Sequence, residues 1–260
     1  MKQIDHLGRV VEFSFPPKRI ISICPGITET LYALQLENEM VGRTKYCIFP
    51  KGKVEEVTIV GGTKEINHDV IKDLKPDLII AEKEENTREI VESLEKDYPV
   101  YVAEVQSIQG AYRMIHDMGK ITARMDQANA LVSVIQKEFQ RLPNGNGKRV
   151  AYVIWRKPYM VVGGDTYINS LLQEMGFYNP AVELDGRYPA VTEQELKQMN
   201  LDYLFLATEP FPYKEKHKDE FLQFMPKTQP IIVDGEMFWY GAKMKDAAKY
   251  FHEFLPGALD

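Results

Sequence analysis

The sequence predicts an α/β protein made of two similar Rossmann-like lobes joined by a single long helix. Two observations predict it. A Lys-Arg pair followed by a strand-like run occurs at Lys18-Arg19-Ile20-Ile21-Ser22-Ile23 and again, 130 residues later, at Lys148-Arg149-Val150-Ala151-Tyr152-Val153. Between the two copies lies one stretch of unbroken helical periodicity. The expected lobes are residues 1–106 and 143–260, with the helix over 107–142. At 260 residues and 44% hydrophobic content the chain can bury one or two cores.

Each strand-like run leads through a turn into an amphipathic helix, Thr28 to Leu36 in the first copy and Thr166 to Met175 in the second. Thr28 and Thr166 are expected N-caps, because a threonine oxygen can accept from the orphan amides of a first turn. Further on, Val70 to Leu74 leads into Lys75-Pro76-Asp77-Leu78-Ile79-Ile80-Ala81. Its counterpart, Glu195 to Met199, leads into Asn200-Leu201-Asp202-Tyr203-Leu204-Phe205-Leu206-Ala207. Such nearly all-apolar runs fit strands covered on both faces, as in a parallel sheet between helices. A last pair, Tyr98 to Val102 and Gln229 to Val233, completes the alternation.

From Ser107 to Leu142 the apolar positions fall at steps of three or four, through Ile108, Ile115, Met118, Ile121, Met125, Val132, Ile135 and Phe139. One continuous helix there would be roughly 50 Å long and would brace both lobes. Gly110 and Gly119 are the places where it would be interrupted. Pro143-Asn144-Gly145-Asn146-Gly147 then marks a boundary.

Composition excludes several classes. Lys+Arg 32 against Asp+Glu 38 leaves a net charge of −6, the wrong sign for a nucleic-acid face. No apolar run approaches the roughly 18 residues of a membrane span. The five histidines, His6, His68, His116, His217 and His252, lack the short spacings of a zinc motif. No nucleophile elbow, phosphate loop or dinucleotide fingerprint occurs, so no catalytic residue is assigned and an enzyme is not expected. Cys24 and Cys47 are expected to be free thiols. The start, MKQIDHLGRV, carries no export signal as written, which predicts a cytoplasmic chain, or a periplasmic or surface-anchored one if the sequence is trimmed. A monomer is expected.

In open α/β sheets ligands bind beyond the carboxyl ends of the strands. That rule selects Tyr46 after the short second strand, Trp155 and Arg156 after the strand opening the second lobe, and Tyr188 in the loop before the helix near Thr192. It also selects Phe238, Trp239 and Tyr240 after the last strand, with Lys243 close behind. Aromatic walls suit a large flat ligand, since they give wide apolar contact for little lost rotamer entropy. Arg156 and Lys243 could pair with its carboxylates or phosphates. Cys24-Pro25-Gly26 and Gly61-Gly62-Thr63 read equally well as an anion cradle or as plain turns.

The run RIISICPGITETLYAL, then GRTKY, then LKPDLIIAE, the long helix and the second α/β half together resemble the iron-siderophore and vitamin B12 substrate-binding proteins of ABC importers. The resemblance covers nearly the whole chain from Asp5. It implies the class III periplasmic-binding-protein fold, with a metal-chelate ligand, a cobalamin or other corrinoid or a ferric siderophore, held between two lobes for ABC-type uptake. No cofactor is implied beyond that ligand. The resemblance implies ligand contact by the regions of Tyr46, Trp155 and Tyr188, and makes DHLGRV the opening strand. It also implies permease docking through an acidic residue on each lobe. Asp69 takes the first of these positions and Gln194, flanked by Glu193 and Glu195, the second. The other readings are a cytoplasmic chaperone or sensor of the same fold, and an enzyme using the same cleft.

Overall fold

In this computed structural model, which describes residues 1–259, the chain opens with a hairpin of β1 (Lys2–Ile4) and antiparallel β2 (Val10–Glu12). Asp5 closes the hairpin. Its buried carboxylate accepts from the Leu7 and Arg9 amides at 2.9 Å each and from the Arg9 guanidinium at 2.9 and 2.7 Å. DHLGRV is therefore mostly a turn rather than the opening strand, because the Asp5 carboxylate is spent on local amides.

The first sheet is wholly parallel. It is built from β3 (Ile20–Ser22), α1 (Pro25–Ala33), β4 (Met40–Arg43), β5 (Thr58–Ile59), α2 (His68–Leu74), β6 (Leu78–Glu82), α3 (Arg88–Leu94) and β7 (Val100–Ala103), in the order β5-β4-β3-β6-β7. The apolar run Leu78 to Ala81 is buried throughout, as a strand covered on both faces must be. The N-cap of helix α1 lies four residues earlier than the expected cap. Cys24, not Thr28, holds the N-cap position and Pro25 takes the first turn, where a missing N–H costs nothing. The Thr28 hydroxyl instead bonds back to the Cys24 carbonyl at 3.0 Å.

The stretch expected as one helix over 107–142 is two, α4 (Ile108–Ile121) and α5 (Met125–Phe139). Neither Gly110 nor Gly119 sits at the break. Ala123 does, with φ of 59°, and the Arg124 amide reaches back to the Gly119 carbonyl at 2.7 Å. That six-to-one bond around a left-handed residue is a Schellman stop. Gly119 makes the corner possible, since a Cβ there would lie 2.5 Å from that of Ala128.

The second sheet follows from β8 (Val150–Trp155), β9 (Tyr159–Val161), α6 (Tyr167–Glu174), β10 (Ala190–Val191), α7 (Glu193–Gln198), β11 (Tyr203–Ala207), α8 (Lys218–Phe224), β12 (Gln229–Val233) and α9 (Met244–Leu259). Its order is β10-β9-β8-β11-β12, parallel except for β9. Thr166 caps α6 as expected, accepting from the Asn169 amide.

The chain divides into two compact units. The first holds Met1–Val105, Gln109–Val134 and Gly241–Lys243. The second holds Gln106–Ile108, Ile135–Tyr240 and Met244–Asp260, of which Asp260 lies outside the described residues. Most of the helical stretch thus belongs to the first unit, as does the short segment carrying Lys243. Each unit has its own apolar core, around Ile21, Ile79 and Val102 in the first and Val153, Leu204 and Leu206 in the second. No described helix is long and apolar enough to cross a membrane.

Candidate functional site

In each sheet the strand order reverses once, between β3 and β6 in the first and between β8 and β11 in the second. The carboxyl ends of these strand pairs are where such sheets open a crevice.

In the first unit that point is filled by a polar knot. Asn86 donates to the Ile23 and Thr63 carbonyls at 3.0 Å each, tying the ends of β3 and β6 to the Gly61-Gly62-Thr63 loop. Buried Glu82 accepts from the Glu84 and Glu85 amides at 2.7 and 3.0 Å. Burial pushes its carboxyl up to about 7 despite those donors. In the folded chain Glu82 therefore keeps its proton over a range in which the unfolded chain has lost it. Its contribution to stability is complete below about pH 4.5 and is lost as pH rises through about 7, a change of roughly 3 kcal/mol. Glu82→Gln should flatten the unfolding free energy over that range in urea titrations; an unchanged slope would assign the dependence to other groups.

Next to the knot runs the loop 44–54, after β4. Arg43, 6% exposed, holds it from beneath by donating to the Val54 carbonyl at 2.7 Å and to the Thr44 and Cys47 carbonyls at 3.2 Å each. Three carbonyls converging on one guanidinium fix the loop. Tyr46 stands out from it, 51% exposed, with the Lys45 ammonium 5.2 Å from its ring centre. Phe49 lies under two ammonium groups, those of Lys243 at 3.8 Å and Lys51 at 5.3 Å. Lys243 is buried and pairs with Glu29 at 3.3 Å, so its charge is already met inside the first unit. Its neighbour Ala242 donates to the Thr30 hydroxyl at 3.1 Å.

The two cysteines lie in this unit, both buried and neither in a disulfide. Cys47 takes hydrogen-bond contacts from Thr28 and Thr44, and burial raises its pKa.

In the second unit the loop after β11 crosses the reversal point. The Phe211 amide donates to the Ile154 carbonyl at 3.3 Å and the Tyr213 hydroxyl to the Trp155 carbonyl at 3.0 Å. Trp155, 40% exposed, stands at the carboxyl end of β8 with its ring edge-on to Phe211 at 6.1 Å. Arg156 beside it is engaged by Glu220 at 2.7 Å, and Tyr159 donates to the same carboxylate. The Glu220 hydrogen bond raises the Arg156 pKa above its ordinary value. Beyond β12, the Gly235 amide donates to the Thr208 hydroxyl, and half-buried Trp239 and Tyr240 follow, Tyr240 edge-on to Tyr167.

One expected residue sits elsewhere. Phe238, 2% exposed, is enclosed by Tyr152, Phe205 and Phe251 with ring centres 4.6, 6.5 and 5.0 Å away. It belongs to the core: the turn Gly235–Phe238 leaves it buried, while Trp239 just after the turn is half-buried. Tyr188 is half-buried, two residues before Ala190, which pairs with Met160 opposite Trp155. It is near enough to the buried Tyr152 to help raise that phenol's pKa, behind desolvation and the charge of Glu209. Sequence reasoning missed Arg43, Phe49 and Phe211. The last two stand in aromatic-proline pairs just past strand ends, a signal that could have found them.

On the helix starts, Asp69 and Gln194 occupy equivalent places, each the second residue of its helix and each exposed. Glu195 is consumed in a capping box with Thr192, whereas Glu193 precedes Gln194 exposed.

Known proteins were compared with this chain. The periplasmic binding protein family matches residues 20–231. An uncharacterized ABC transporter substrate-binding lipoprotein of Bacillus subtilis is 28% identical over 213 residues, covering 76% of this chain and 66% of its own. A vitamin B12-binding protein of Vibrio cholerae is 24% identical over 187 residues, covering 70% of this chain and 67% of its own. The chain thus spans about two thirds of the length of the curated relatives it matches. Among solved structures, a possible iron-binding periplasmic solute-binding protein of Staphylococcus epidermidis superposes with a TM-score of 0.77 at 23% identity, over 92% of this chain and 98% of its own. The periplasmic vitamin B12-binding protein of Vibrio cholerae gives 0.74 at 20% identity, over 94% and 99%. Likeness at that identity shows the shared two-lobed α/β fold. With the family matched over well more than half of its length, the chain belongs to the periplasmic binding protein family.

Proposed function

We propose that this chain is the solute-binding component of an ABC importer, and that its ligand is a metal chelate of the corrinoid, haem or siderophore kind. The observation that carries the reading is Trp155, a large aromatic left 40% exposed where strand order reverses in the second sheet. A tryptophan left exposed where strand order reverses gives a flat apolar-faced ligand a wide surface to pack on. The relatives add support, being named as vitamin B12-binding and ABC transporter substrate-binding proteins. Trp239 and Tyr240, on the same unit as Trp155, are further contact residues in this reading.

The partner would be a membrane permease. Exposed Asp69 offers its carboxylate to a permease arginine, while Gln194 offers only an amide, leaving Glu193 to supply the second charge. Such a chain works outside the membrane that holds the permease. The reading is tested by thermal unfolding with hemin, cyanocobalamin, cobinamide, a ferric tris-catecholate and a ferric trihydroxamate. A chelate held at about one hundred times its Kd should stabilise the fold by about 2.7 kcal/mol. If no chelate of that panel moves the transition, the reading fails.

A further inference from the structure

Residues Gly241–Lys243 belong to the first unit, although Tyr240 before them and Met244 after them belong to the second. Local contacts seat these three residues. Gly241 has φ of 86°, and a Cβ there would lie 2.3 Å from the Thr30 hydroxyl and 2.9 Å from the Gly26 carbonyl, both on α1. Glycine alone combines that conformation with so close an approach. The Ala242 amide donates to the Thr30 hydroxyl at 3.1 Å, which itself donates to the Gly26 carbonyl at 2.7 Å. Lys243 follows, 4% exposed, with its ammonium 3.3 Å from a Glu29 oxygen and 3.8 Å from the centre of the Phe49 ring.

A lysine so deeply buried needs partners for its charge. Lys243 takes one from each side: the Glu29 carboxylate on α1, and the Phe49 ring face on loop 44–54. Arg43 holds that loop at the Thr44, Cys47 and Val54 carbonyls, so the stretch 48–53 lies between its fixed points. Half-buried Phe49 is in that stretch, next to the turn in which the Lys53 and Val54 amides donate to the Pro50 carbonyl at 3.2 and 3.1 Å.

We propose that Gly241–Lys243 is a strap that completes the first unit, in which Lys243, anchored by Glu29, holds the stretch 48–53 in place through the Phe49 ring. The strap does not depend on the proposed ligand; it assigns the Lys243 charge to ordering the protein rather than to meeting a bound anion. Seating of the strap and order of the loop are then coupled, and coupling is reciprocal: loosening either loosens the other.

The test is amide hydrogen exchange on the full chain. One variant is Glu29→Gln with Lys243→Met, which removes both charges together and leaves no buried ion unpaired. The other is Phe49→Leu. The double variant should speed exchange of the Lys53 and Val54 amides about tenfold, the size expected for a desolvated ammonium taken off a ring face. Phe49→Leu should speed exchange of the Ala242 amide about as much, although the substitution lies on the loop. The amides of β6 should exchange as in the unmodified chain in both. Unchanged exchange at Lys53 and Val54 in the double variant, or at Ala242 in Phe49→Leu, overturns the strap. A rise of the same size in β6 overturns it too, since the effect would then be one of global stability.

Discussion

Replacing Asp5 by alanine is expected to destabilise the chain by about 3 kcal/mol, more than any other change to a polar side chain considered above. The Asp5 side chain is fully buried and is the common acceptor for the Leu7 amide, the Arg9 amide and the Arg9 guanidinium. It also lies 3.3 Å from the amide of Val102 in β7, so it joins the hairpin to the edge of the first sheet. Removing it strands several donors at once, and an orphaned buried donor costs more than its hydrogen bond gained. The figure sits at the lower end of the range for broken buried pairs because Arg9 is 31% exposed and keeps Glu95 at 2.6 Å. Urea unfolding reads the effect directly. Asp5→Asn, which retains one acceptor, should fall between wild type and alanine. A loss below about 1 kcal/mol for Asp5→Ala would mean that the hairpin is not coupled to the sheet.

The second large effect separates core from contact surface. Phe238→Ala should cost about 3–5 kcal/mol of stability, as truncation of a buried aromatic does. Its ring packs among Tyr152, Phe205 and Phe251, so the cavity opens inside the second unit. Trp155→Ala should behave in the opposite way. The ring is 40% exposed, with Phe211 edge-on to it, so stability should change by less than about 1 kcal/mol. Chelate affinity should instead fall by about 2 kcal/mol, roughly thirtyfold in Kd, the size of an aromatic hot spot. Stability by denaturant and affinity by calorimetry must be measured on both variants. Loss of affinity in Phe238→Ala without loss of stability would return that residue to the ligand surface.

The contrast between these two residues marks what was legible in the sequence. Strand runs such as Leu78 to Ala81 and Leu204 to Ala207 announce themselves, because a strand covered on both faces has no reason to alternate. Thr166 announces a helix start by capping chemistry that acts within three residues. The break at Ala123 gives no such notice. Alanine is the strongest helix former, and its left-handed φ is set by the approach of α5 to Gly119, a contact between elements. Run-length reasoning likewise cannot sort Phe238 from Trp239, since it is one turn of 3₁₀ backbone that leaves the first buried and the second half-buried. Lys243 was legible as a charge near aromatics. That it joins Glu29 and Phe49 of the first unit, 190 and more residues away, depends on where the chain returns after β12.

The exposed tryptophan at the reversal of strand order is the centre of the account, and the chain carries just two tryptophans. In Trp239→Phe the remaining emission comes from Trp155 alone. Metal chelates absorb where tryptophan emits, and a chelate stacked on Trp155 should quench that emission in proportion to occupancy. The account predicts saturable, near-complete quenching of Trp239→Phe by the chelate that raises the melting temperature most, with the Kd that calorimetry gives for the same variant. Saturable binding of the same chelate by calorimetry, with Trp155 emission unchanged, would contradict it.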